Sequence, residues 1–137
     1  MKGSVAFSVI FCAVFLFLGS HPAAAGEAGA ADLSKKADTL IRIRDDVMER
    51  LRQVQEISVL MGKKRELYEK EIRQELGQAG GMTYEAAMMN GRIANNIDLI
   101  QRIHGHAAQL FTHGAQLQEL LGEVEFVLKE TEDALRV

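Results

Sequence analysis

Residues 84–137 carry the pattern that most restricts what this chain can become. From Ile93 the core-facing positions recur at Ile97, Ile100, His104, Ala107, Phe111 and Gly114, in steps of four and three. After one more three-residue step they resume at Leu117, Leu121, Val124, Leu128, Thr131 and Leu135. That rhythm is the seam of a coiled coil, and two threes in succession read as a stammer that overwinds the helix locally. Between Asn90 and Gln118 the only fixed charges are Arg92, Asp98 and Arg102. A helix so poor in charge is ordinarily covered on more than one side. The candidate interface is therefore Ile93, Ile97, Ile100, His104, Ala107, Phe111, Gly114, Leu117, Leu121, Val124 and Leu128.

A shorter arm precedes it. Residues 35–76 carry Ala37, Leu40, Ile41, Ile43, Val47, Met48, Leu51, Val54, Ile57, Leu60, Met61, Leu67, Tyr68, Ile72 and Leu76 on a drifting stripe of helical period. Alternation is absent, which rejects strand. The opposite face is dense in mixed charge, with i,i+4 pairs such as Asp46 with Arg50 and Glu66 with Lys70, each worth a few tenths of a kcal/mol. This arm reads as an amphipathic outer helix, with Gly62 its one weak point. Residues 77–83 punctuate the two arms: Gly77 suits a left-handed position after Leu76, and Thr83 is a natural N-cap with Glu85 in the next first turn. So short a connection favours antiparallel packing.

The expected fold is therefore all-α, two long antiparallel helices in a helical hairpin or coiled coil, spanning residues 34–137 with a second arm over 84–136. Gly91, Gly105, Gly114 and Gly122 each cost about 1 kcal/mol relative to alanine in a helix interior. Either they admit a close neighbour or the arm breaks near Gly105 or Gly114, giving a three-helix bundle; an unbroken arm is expected, because the seam keeps phase through Gly105. The acidic end at 119–133 sits poorly at a helix C-terminus, so fraying or a basic partner is expected there.

The first 25 residues have the layout of a cleavable signal peptide: Lys2, a run of mostly apolar residues over 5–18, a break at 19–22, then Ala23, Ala24 and Ala25 before Gly26. The apolar run falls short of the roughly 20 residues of a spanning helix. Residues 26–33 read as a flexible lead-in. The mature chain has no cysteine, which excludes a disulfide frame and thiolate chemistry. Without Lys2 it carries 15 basic and 19 acidic residues, a net −4, unlike a dedicated nucleic-acid binder.

His104, His106 and His113 are the candidate metal or haem ligands. His104 and His106 lie about 200° apart on a helix, and His106 and His113 share a face about 10 Å apart. Neither pair chelates one ion, so no metal and no cofactor is expected. A ligand-binding bundle that pairs a histidine with Met48, Met61, Met82, Met88 or Met89 is the alternative reading. Asn90, Asn95, Asn96, Gln101, Gln109, Gln116 and Gln118 read as a set of interhelical hydrogen bonds that fix register. No nucleophile elbow, phosphate loop or metalloprotease helix is present in the sequence, and enzymatic activity is not expected.

Two helices alone make one thin core. The chain is expected to complete it by self-association or by packing on another protein. The reading is an exported, non-enzymatic interaction protein of a bacterial periplasm: an assembly subunit, adaptor or chaperone-like protein. A membrane-tethered coiled coil with an uncleaved anchor is a further alternative.

Overall fold

The computed structural model describes residues 27–78, 80–81 and 83–137. The expected signal peptide at 1–25, Gly26, Ala79 and Met82 lie outside the described residues. Helix α1 spans Glu27–Gln78, α2 spans Tyr84–Met89 and α3 spans Gly91–Arg136, with no strand among the described residues. The two long helices pack against each other as an all-α helical hairpin.

The elements begin and end for local reasons. Helix α1 starts at Glu27 rather than near Lys35, so the expected lead-in is helical from its second residue. Ala28, Ala30 and Ala31 are the strongest helix formers, and Glu27 sits in the first turn where the helix dipole favours an anion. It runs through Gly62 and Gly77 to Gln78; the left-handed turn falls instead on Gly80 (φ 64°) and Gly81 (φ 92°). Thr83 then caps α2, its hydroxyl oxygen accepting from the Ala86 N–H at 3.3 Å.

The second arm is not one helix from Tyr84. It stops at Met89 and restarts at Gly91, because Asn90 takes an extended conformation and accepts from the backbone N–H groups of Arg92 (3.0 Å) and Ile93 (3.4 Å). Asn90 is thus a cap, not an interhelical amide. Beyond it α3 is unbroken through Gly105 and Gly114 to Arg136. Its acidic end stays helical, with Arg136 in the last turn where the dipole favours a cation.

By contacts the chain divides into two compact units. The first holds the described part of α1 up to Glu49 together with Gln118–Val137. Its core is Ala37, Leu40 and Val47 from α1 against Leu120, Val124, Val127 and Leu128 from α3. Each fully buried aliphatic side chain contributes about 1.5–3 kcal/mol. Thr131 is buried with them, and its hydroxyl donates to the Val127 carbonyl at 2.8 Å.

The second unit is Arg50–Leu117. Among the described residues it buries fewer side chains: Ala87, Ile93, Leu117 and the polar Asn96. A Cβ on Gly114 would stand 3.4 Å from Val54 Cγ1, which fixes the register of the two helices here. Carrying heptad steps from that contact places Ser58 level with Leu110, Met61 with Ala107, Arg65 with Ile103, Tyr68 with Ile100 and Ile72 with Asn96. Large faces small at the first two of these levels, so the seam is thin around them.

Candidate interaction surface

The register sorts the sequence-derived interface residues. On α3, Ile93, Leu117, Val124 and Leu128 are buried within their own units, and Ile97, Ile100, Gly114 and Leu121 are half-buried. His104, Ala107 and Phe111 are exposed, Phe111 by 81 %. At four places the inward residue is the one before the expected residue: Asn96 rather than Ile97, Ile103 rather than His104, Leu110 rather than Phe111, and Leu120 rather than Leu121. Steps of three and four through Ile93, Asn96, Ile100, Ile103, Ala107, Leu110, Gly114 and Leu117 keep a heptad, and the two threes in succession fall at Gly114, Leu117 and Leu120.

Polar groups close the loop end of the second unit. Asn96 Nδ2 donates to Glu71 Oε2 at 2.9 Å, which satisfies an amide buried at a seam level. Of the seven amides expected to bond between helices, it is the one that crosses to α1 in this way, and Asn95, Gln101, Gln109, Gln116 and Gln118 are exposed. Arg92 donates to Glu75 Oε1 at 2.9 Å; that hydrogen bond, with the charge of the same carboxylate, raises the guanidinium above its ordinary pKa. Arg65 also stands at a seam level, with its Nε buried, unbonded and 3.4 Å from Glu69 Oε1. A half-exposed pair of this length contributes at most about 1 kcal/mol. Arg65→Met is therefore expected to stabilise the chain by about 1 kcal/mol, read as a higher urea midpoint, because an apolar side chain in the seam removes the unbonded donor. A lower midpoint would show that the guanidinium holds the helices together.

The histidines do not converge. His104 and His106 are exposed and His113 is half-buried. Among the described residues no group of three or more His, Cys, Asp or Glu is placed to hold a metal ion. No described helix is long and apolar enough to cross a membrane.

What remains is exposed apolar surface. On α1, Met48, Ile57, Val59, Leu60 and Leu67 stand about half or more in solvent; on α3, Phe111 and Phe126 do. At the loop end Tyr84 and Met89 are as strongly exposed as Phe111. Sequence periodicity places Ile57, Leu60 and Leu67 on the covered stripe of α1 and passes over Val59. With Ser58 and Met61 at the seam levels, their neighbours Ile57, Val59 and Leu60 turn outward. The detectable signal is the crowding of apolar residues over 57–61, more than one face can bury. No protein-family model, curated protein or solved structure matches the chain.

Proposed function

We propose that this chain is an exported, non-enzymatic helical interaction protein of a bacterial envelope, an assembly subunit, adaptor or chaperone-like protein. It works by covering apolar helix faces with a protein partner, a second copy of itself first among them. The observation that carries this reading is that the hairpin leaves large apolar side chains uncovered along its thin middle, at Ile57, Val59, Leu60 and Phe111. Contiguous apolar exposure of this kind marks interaction surfaces. On the weakly charged second arm, the exposed His104 and Phe111 stand seven residues apart and share one face. The cleavable leader read from residues 1–25 supports export.

The test is to express the whole chain in a bacterial host and recover it from the periplasm. Its mature N-terminus is read by mass spectrometry, and its solution mass by light scattering over a concentration range. The expected result is an N-terminus at Gly26 and a strongly helical protein whose mass grows with concentration or that co-purifies with a stoichiometric protein. A cytoplasmic chain beginning at Met1, monomeric at every concentration and alone, overturns the proposal.

A further inference from the structure

Arg52, Gln55, Glu56, Val59 and Leu60 line one open groove on the outer face of α1, within the second unit. Val59 and Leu60 are 58 % and 59 % exposed at its floor, so the groove is apolar at its centre and charged at its edge. Glu56 is ion-paired to Arg52 at one end. Past the other end stand Lys63 and Lys70, both exposed and, among the described residues, without an ion pair. Before the apolar centre stands Glu56 beside Arg52 and after it stands Lys63, and a twofold axis makes positions 56 and 63 complementary. An antiparallel copy of the helix, related by an axis between residues 59 and 60, sets Val59 on Leu60 of its mate. It also brings Glu56 to Lys63 and Gln53 to Glu66, each pairing occurring twice. A parallel copy in register would instead oppose Glu56 to Glu56 and Lys63 to Lys63.

We infer that this α1 face is a twofold, antiparallel contact with a second copy of the chain, centred on Val59 and Leu60 and keyed by Glu56 to Lys63 of the mate. The inference rests on the reading that the chain acts by pairing helices, and assigns that pairing to the first arm. Its size sets its strength. Residues 52–67 extend about 24 Å along the helix, and a helix is about 10 Å wide, so the footprint is near 240 Å² per chain. A stable interface takes about 800 Å² per partner. The dimer is therefore weak, favoured by concentration and weakened by salt, because its selectivity comes from exposed charges.

Charge exchange tests it. Within one helix, residues 56 and 63 are about 10 Å apart and do not pair, so any coupling between them must come from another chain. The mass of the protein, expressed from the whole chain, is followed by sedimentation over a range of concentrations at low salt. The parent is expected to move from monomer toward dimer, and Glu56→Lys and Lys63→Glu are each expected to shift the midpoint at least tenfold upward. The double variant Glu56→Lys/Lys63→Glu is expected to return it to the parent value. Circular dichroism checks that helicity is unchanged. A variant that loses helicity is replaced by Leu60→Cys, expected to give a disulfide-linked dimer on oxidation where Gln101→Cys, on α3, does not. A double variant no closer to the parent than the single ones, or equal crosslinking at both cysteines, overturns this surface. Concentration-dependent association that ignores all these changes overturns it while leaving self-association intact; a parent that stays monomeric overturns both.

Discussion

Leu117→Ala is expected to cost about 3 kcal/mol, Leu110→Ala about 1–2 kcal/mol and Phe111→Ala less than about 0.5 kcal/mol, measured by urea unfolding. The order follows from burial, not from side-chain size. Leu117 is 1 % exposed, Leu110 is half-buried and Phe111 is 81 % exposed. Truncating a buried leucine removes its transfer free energy and leaves a cavity that the helices close only in part. Truncating an exposed ring removes contacts that water already replaced. Against a typical stability of about 5–15 kcal/mol, the Leu117 variant loses a large share of what holds the chain folded. The Leu110 and Phe111 pair is the sharper comparison, because these neighbours change places between two heptad registers. A larger loss at Phe111 than at Leu110 would put Phe111 in the seam in place of Leu110.

That comparison also marks how far the sequence was legible. Helix type, hairpin order and the turn region are written in period and punctuation: no alternation anywhere, glycines between the arms, and Thr83 before an acidic first turn. Beyond Leu117 the seam is readable in part: Val124, Leu128 and Thr131 are buried as the period expects, but Leu120 and Val127 are buried where the period offers Leu121, and Leu135 is exposed. Between Ile93 and Gly114 the seam is not readable. A search for apolar residues at steps of three and four prefers Ile97 to Asn96 and Phe111 to Leu110. Asn96 becomes a good inward residue only because Glu71, 25 positions earlier, accepts its amide hydrogen. That partner is tertiary information, absent from any local window. Asn90 was misread for a related reason. Its side chain serves the backbone of the next helix, and Gly91 after it was the available sign of a boundary. The exposed face of α1 is hidden in the sequence because a long amphipathic stripe reads as one covered surface. It resolves into a seam and a second, uncovered row only once a register is fixed.

The same register decides what the glycines do. Gly105 and Gly122 lie in the interior of α3, and a Cβ at either position meets nothing within 4 Å. Among the described residues neither has a close neighbour, whereas Gly114 stands against Val54. Replacing both with alanine removes backbone freedom from the unfolded state and adds no clash, for a gain of about 1 kcal/mol at each site. The sites are 17 residues, or about 25 Å, apart on one helix, so the double variant Gly105→Ala/Gly122→Ala is expected to gain about 2 kcal/mol in urea unfolding. Its association offers an independent reading of the surface. With the contact between copies on α1, the double variant should reproduce the parent's sedimentation curve, more stable and equally dimeric. A more stable chain that no longer associates would mean that a partner helix approaches α3 at its glycines. The self-contact would then belong to α3, and the charges at Glu56 and Lys63 would be solvated surface.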